Sequence, residues 1–75
     1  MLPGTLLAFE RTHPRHDGTK EETIRAVLGL TPARYYVLLG RAARSLDGIA
    51  ADPITAPRVR ERLDGRAAER VRRAA

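Results

Sequence analysis

The strongest constraint on the fold is a helix stop followed almost at once by a helix start, between Gly29 and Pro32. Glycine readily adopts the left-handed conformation that closes a helix. Thr31 can then cap a new helix, and Pro32 suits its first position because proline has a fixed φ and needs no N–H there. The pattern predicts two helices joined by a three-residue turn, which is typical of a helix-turn-helix unit.

Apolar residues recur with helical spacing on both sides of this turn. Thr19 and Glu22 form a capping box, which predicts the start of the first helix. The second helix, over residues 31–46, is predicted to be the recognition helix. The side chains expected in the core are Ile24, Val27, Leu28, Tyr35, Leu38, Leu39, Ala42 and Leu46. We therefore expect two helices that pack through these apolar faces, with the opposite face of the second helix free for a partner.

The N-terminal segment is predicted to support this pair. Leu2, Leu6 and Phe9 lie at helical spacing, which predicts a short helix over residues 5–11. Two helices alone bury little apolar surface, so a third helix packed across them is needed to complete a core. We therefore predict an all-α fold with a three-helix helix-turn-helix core.

Turn-forming residues follow the helix pair, and the chain then becomes strongly basic. Ile49 and Ile54 lie among the turn residues and are expected to fold back onto the core. The basic segment has apolar residues at every fourth position, which predicts a helix at its start and leaves the part after Gly65 open. We divide the chain into a helix-turn-helix core domain at residues 1–56 and a basic C-terminal helix or arm at residues 57–75.

Length and composition narrow the class of protein. The chain has 75 residues, no cysteine and a formal net charge of +5. A chain of this length forms one small domain, and the absence of cysteine excludes disulfides and thiolate metal sites. The longest apolar run, residues 35–39, is far shorter than the roughly 20 residues of a membrane-spanning helix. We therefore expect a cytoplasmic, nucleoid-associated protein that is not embedded in a membrane.

The basic side chains favour a polyanionic partner. They are thirteen arginines and one lysine, and arginine donors match phosphate oxygens and guanine edges. Arg34 and Arg41 are candidates for guanine edges or phosphates, Tyr36 for a phosphate, and Ala33 and Val37 for thymine methyl groups. The predicted DNA-binding residues are Thr31, Ala33, Arg34, Tyr36, Val37, Arg41, Arg44, Arg11 and Arg58. We predict a small DNA-binding protein, either a transcriptional regulator or a nucleoid-associated factor, whose partner is duplex DNA.

A second hypothesis keeps the same arginine face and changes the partner. In a protein-interaction module, this face would dock onto an acidic patch of RNA polymerase or of another regulator. Helix-turn-helix folds serve both roles, so the fold alone does not choose between them. The sequence leaves the oligomeric state open, with a homodimer as one alternative because helix-turn-helix proteins commonly pair across two DNA half-sites.

Enzymatic and metal chemistry are not indicated. Ser45 has no histidine nearby in the sequence, and the chain has no cysteine and no glycine-rich phosphate loop. His13 and His16 share one loop with Asp17, but Pro14 breaks the helical geometry and no third strong ligand is indicated. We therefore expect no enzyme, no metal and no cofactor.

Three strings in the chain resemble a family of small actinobacterial proteins known only as a domain of unknown function. The strings are LLAFER at residues 6–11, KEETIRAVLGLTPARYYVLL at residues 20–39 and DPI at residues 52–54. The RYY triplet is the most distinctive part. Where a pair of aromatic residues is expected after FER, this chain has His13 and Pro14. The resemblance implies an actinobacterial source and a helix-turn-helix fold, and it brings no established activity.

Overall fold

The structure, a computed structural model, describes residues 1–74 and contains five α-helices and no strand within this range. The prediction of an all-α fold is therefore confirmed. The helices are α1 (Pro3–Thr12), α2 (Gly18–Thr23, continued by a π-helical turn at Ile24–Leu28), α3 (Pro32–Arg44), α4 (Leu46–Ala51) and α5 (Thr55–Ala74).

Helix α3 lies at the centre of the molecule. It packs against α1 and α5, and α4 contacts both α1 and α3. The buried apolar side chains form a single core made of Leu6, Leu7, Phe9, Ile24, Tyr35, Leu39, Ala42, Ala43, Ala56 and Val59. Ala56 and Val59 belong to α5, so the first turns of the basic helix share the core of α1 and α3.

The helix stop and start around residue 30 are confirmed. Gly29 has a φ of 66°, in the left-handed region, and ends the π-helical turn. Thr31 caps α3, since its hydroxyl accepts a hydrogen bond from the Arg34 amide at 3.2 Å, and Pro32 is the first residue of the helix. The turn between the two helices therefore consists of residues 29–31, as the sequence predicts.

The predicted capping box at the start of α2 is wrong. The cap is Asp17, whose Oδ1 accepts a hydrogen bond from the Lys20 amide at 2.9 Å. Thr19 lies inside the helix, where its carbonyl accepts from the Thr23 hydroxyl. A carboxylate caps a helix at least as well as a threonine hydroxyl, so the helix begins at the earlier residue.

Four apolar side chains expected in the core are exposed: Leu2 (74%), Val27 (67%), Leu46 (86%) and Ile54 (64%). Leu2 and Ile54 precede the first residues of α1 and α5, so they do not share the buried faces of those helices. Val27 lies in the π-helical turn, whose wider winding shifts it from the predicted stripe. Leu46 leaves the α3 stripe because the extended backbone of Ser45 ends that helix.

A short helix, α4, stands where the sequence predicts turns. Ser45 starts it by accepting a hydrogen bond from the Gly48 amide at 2.9 Å. Ile49 is half-buried against the core, as predicted. The helix therefore forms because Ser45 ends α3 and caps α4 at the same point.

Helix α5 continues through Gly65 to Ala74. Its first turns are buried, and Leu63 still packs against the core. Beyond Leu63 none of the described residues of α5 is buried, so this half of the helix is largely exposed to solvent. Within residues 1–74, no helix combines the length and the apolar character needed to cross a membrane.

Candidate nucleic-acid interface

The predicted outer face of α3 is exposed. It lies opposite the buried stripe of that helix, as the 100° step between helical residues requires. Its exposed side chains are Ala33, Arg34, Val37, Arg41 and Arg44. Among the described residues, neither Arg34 nor Arg41 forms an ion pair. Two arginines therefore point to solvent from the face assigned to DNA, with small apolar side chains beside them.

Some predicted DNA-binding residues have partners within the protein, and others lie on different helices. Thr31 uses its hydroxyl as the cap of α3, and Arg44 donates to Asp64 at 2.8 Å. Arg11 and Arg58 line a separate groove between α1 and α5, away from the outer face of α3. Arg11 also pairs there with Asp52, at 3.2 Å. The structure therefore groups the predicted residues of the outer face of α3, but leaves Tyr36 half-buried beside α5 and Arg11 and Arg58 away from that face.

A buried carboxylate connects four helices behind this face. Glu10 of α1 is only 2% exposed. Its Oε1 accepts hydrogen bonds from Lys20 Nζ of α2 and from Tyr35 Oη of α3, each at 2.7 Å. Its Oε2 accepts from Arg62 Nη2 of α5, at 2.8 Å. We call these four residues the Glu10 cluster, and it fixes α2 and α3 relative to the helices that flank them.

The hydrogen bonds of this cluster keep its carboxylate charged. Burial raises the pKa of Glu10, but the hydrogen bonds from Lys20, Arg62 and Tyr35 outweigh burial and bring the pKa below its usual value. Burial and the hydrogen bond to Glu10 both raise the pKa of Tyr35, so this phenol stays protonated as a donor. The buried ammonium of Lys20 is thus held against a full negative charge.

His16 joins the Glu10 cluster to the surface. Its Nε2 lies 2.8 Å from Arg62 Nη1, and its Nδ1 lies 2.8 Å from Tyr36 Oη. Lys20 Nζ also lies 3.2 Å from Nδ1, so the two ring nitrogens each face a donor-only cation, Lys20 at Nδ1 and Arg62 at Nε2. Burial, followed by the positive charge of Lys20, lowers the pKa of His16. His16 is therefore a neutral bridge between α5 and the second tyrosine of the RYY triplet.

Acidification is expected to destabilise the domain in two steps. The unfolded chain takes up a proton at His16 as the pH falls below about 6.5, while the folded protein resists it, so stability present above that pH is lost below it. Glu10 has a lowered pKa in the folded state, so its contribution is present above about 4.5 and is lost as the pH falls further. Melting temperatures measured by circular dichroism from about pH 8 to 3 test both steps.

Matched histidine variants can assign the loss of stability below about pH 6.5 to His16. His16→Gln should remove it, whereas His13→Gln should leave it in place, because His13 makes no contact with the Glu10 cluster. A melting temperature that is constant from about pH 8 to 5.5 would contradict this assignment of His16.

The Glu10 cluster was not predicted from the sequence, although the sequence contains a signal for it. Glu10 follows the core residue Leu6 by four positions, and Lys20 precedes the core residue Ile24 by four, so both charges continue buried helical faces. Charges of opposite sign in two apolar stripes indicate a buried pair, since an isolated buried charge is very costly.

The family resemblance acquires a structural meaning from these contacts. Glu10, Lys20 and Tyr35 all lie in the strings that carry the resemblance, and together they provide three of the four members of the Glu10 cluster. At the position where an aromatic residue is expected after FER, the His13 ring stacks on Phe9 with centroids 4.1 Å apart. An imidazole thus takes a stacking role there.

Comparison with known proteins identifies the family of this chain. No curated protein and no solved structure matches the chain. A family model described as "protein of unknown function (DUF3263)" matches residues 4–71, which includes all of the Glu10 cluster and the outer face of α3. Because this match covers nearly all of the 75 residues, the chain belongs to the DUF3263 family.

Proposed function

We propose that this protein binds duplex DNA with α3 as its recognition helix, and that it acts as a transcriptional regulator or nucleoid-associated factor. The observation that carries the proposal is the exposed face of α3, where Arg34 and Arg41 have no acidic partner among residues 1–74. The two arginines are seven residues apart, which places them in one row about 10 Å long. That length corresponds to about three base steps of duplex DNA.

The scaffold supports the presentation of this face. Helix α3 is anchored by Tyr35 and Leu39, which are almost completely buried on its opposite side. The preceding helix, α2, is held by Lys20 in the Glu10 cluster and by the buried Ile24. A fixed angle between the two helices favours recognition, because it reduces the conformational freedom that binding would remove.

Fluorescence anisotropy with a labelled duplex tests the proposal. The affinity of the wild-type protein should fall linearly with salt on a double-logarithmic plot, because each neutralised phosphate releases counterions. The Arg34→Gln/Arg41→Gln variant should bind about ten- to a hundredfold more weakly while keeping its helical circular dichroism spectrum. Both arginines are exposed, so their loss leaves the core intact.

A charge-matched control separates specific contacts from net charge. Arg60→Gln/Arg72→Gln removes the same two charges from α5, outside the outer face of α3. We expect this control to bind nearly as well as the wild-type protein. No wild-type binding at about 50 mM salt would exclude the proposal. Equal losses in the two double variants would show that binding depends on charge alone and does not use α3 for recognition.

One observation favours a protein partner instead. Asp17, Glu21 and Glu22 are exposed at the start of α2, where they would repel phosphates of a DNA strand beside α3. In this second proposal, the arginine face docks onto an acidic patch of a transcription component such as RNA polymerase. Capture of a partner from lysate by the tagged protein distinguishes the two proposals. A partner that survives nuclease treatment and is lost in Arg34→Gln/Arg41→Gln supports the protein interface.

A further inference from the structure

Helix α5 carries a second group of basic residues beside the recognition helix. Arg66 lines a narrow crevice between α3 and α5, together with His16, Tyr36 and Arg62. Arg70 lies one helical turn beyond Arg66 on the same face of α5. Neither Arg66 nor Arg70 forms an ion pair among the described residues. This basic row is distinct from Arg34 and Arg41, which project from α3.

The direction of α5 brings this row toward the beginning of α3. Leu63 approaches Gly40 so closely that a methyl group added at the glycine would lie 3.3 Å from the leucine Cδ1. Arg66 follows Leu63 by three residues on α5. It lies beside Tyr36, which precedes Gly40 by four residues on α3. The two helices thus run in opposite senses where they cross, and the next turn of α5, with Arg70, continues toward the N-terminal end of α3.

Tyr36 adds a directed donor to the crevice. The Tyr36 oxygen lies 2.8 Å from His16 Nδ1, and a phenolic hydroxyl is able to donate its hydrogen to a phosphate oxygen. Burial, and after it the charge of Glu10, raises the pKa of Tyr36, so the hydroxyl stays protonated at neutral pH. A hydroxyl donor and two arginines in a row are the groups that commonly bind phosphate oxygens.

We propose that Tyr36, Arg66 and Arg70 form a phosphodiester-binding site for the DNA strand that borders the groove entered by α3. This inference rests on the proposed DNA-binding function and adds the backbone contact that fixes the position of α3 in the groove. Backbone contacts of this kind position a protein on the duplex and carry no sequence information. The site therefore contributes affinity and salt dependence for every duplex sequence.

An exposed carboxylate opposes this site. Glu21 of α2 is exposed and lies close enough to Tyr36 for its charge to raise the pKa of that phenol. Burial and the charges of Glu10 and Arg66 have larger effects on the same pKa. A phosphate bound at Tyr36 would be repelled by Glu21. Glu21→Gln should therefore strengthen DNA binding about two- to fivefold at low salt, and the gain should fade as salt screens the charge.

The test compares two double variants of α5 by anisotropy over a salt series. Arg66→Gln/Arg70→Gln should weaken binding about tenfold or more at about 50 mM salt and reduce the slope of log affinity against log salt by about two. The loss should be the same for unrelated duplex sequences. Arg60→Gln/Arg72→Gln has the same charge and lies on other faces of α5, so its slope should stay near that of the wild-type protein.

The outcomes separate this inference from the proposed function. One outcome would exclude the phosphate site alone. In it the wild-type protein binds DNA, Arg34→Gln/Arg41→Gln binds more weakly, and Arg66→Gln/Arg70→Gln binds like its Arg60→Gln/Arg72→Gln control. The proposal that α3 is the recognition helix would then be retained. If Glu21→Gln leaves the affinity unchanged at low salt, the phosphate does not lie at Tyr36. A wild-type protein that fails to bind any duplex overturns both proposals.

Discussion

Replacing Glu10 by glutamine is expected to destabilise the domain by about 3–5 kcal/mol, which is a large part of the total stability of a protein of this size. Glutamine has nearly the same shape but removes the negative charge that faces Lys20 Nζ at 2.7 Å. Lys20 is only 3% exposed, so its ammonium would be left buried without a counter-charge. The amide NH₂ would also face a donor in either orientation, Tyr35 at the position of Oε1 or Arg62 at that of Oε2. Urea denaturation followed by circular dichroism measures the loss.

Two further variants identify the cause of this loss. Glu22→Gln makes the same chemical change at an exposed position of α2 and should cost less than about 0.5 kcal/mol. Glu10→Gln/Lys20→Met removes the unpaired ammonium as well, so it should recover part of the stability lost in the single variant. If the free energy of unfolding of Glu10→Gln is within about 1 kcal/mol of the wild-type value, the carboxylate does not hold the helices together.

Replacing Gly48 by alanine is expected to cost about 3 kcal/mol, because the new methyl group has no space. A Cβ at Gly48 would lie 1.8 Å from the Ala42 carbonyl oxygen and 2.8 Å from its carbon, and both atoms belong to the backbone of α3. A side chain can rotate away from such a contact, whereas a helix backbone must move as a unit. Helix α4 would have to separate from α3 and break the Ser45 cap. Thermal denaturation tests this result.

Gly65 provides the matched control for Gly48. It lies inside α5, and a Cβ there would meet nothing within 4 Å. Gly65→Ala should therefore stabilise the protein by up to about 1 kcal/mol, through the better helix propensity of alanine. A neutral Gly48→Ala would show that α4 does not pack against α3 as described. A destabilising Gly65→Ala would show that α5 is interrupted at this residue.

Local interactions in the sequence were enough to predict the helix boundaries around residue 30. A left-handed glycine, a threonine cap and a proline in the first turn each act within a few residues, so their effect is readable from the chain. The exposed face of α3 follows from the same periodicity, because its buried stripe fixes the opposite side. The sequence thus located Arg34 and Arg41 on one outward surface.

Contacts between distant residues were not readable in this way. Glu10 and Arg62 are 52 positions apart in the sequence. A charged residue in an apolar stripe indicates that it has a buried partner, but the pattern does not identify that partner. The same holds for Arg66, which reaches the side of Tyr36 only because α5 folds back across α3. Short-range capping and helical periodicity therefore specify where the helices of this protein begin, end and face. The packing of the helices specifies which buried charges meet, because that depends on the path of the whole chain.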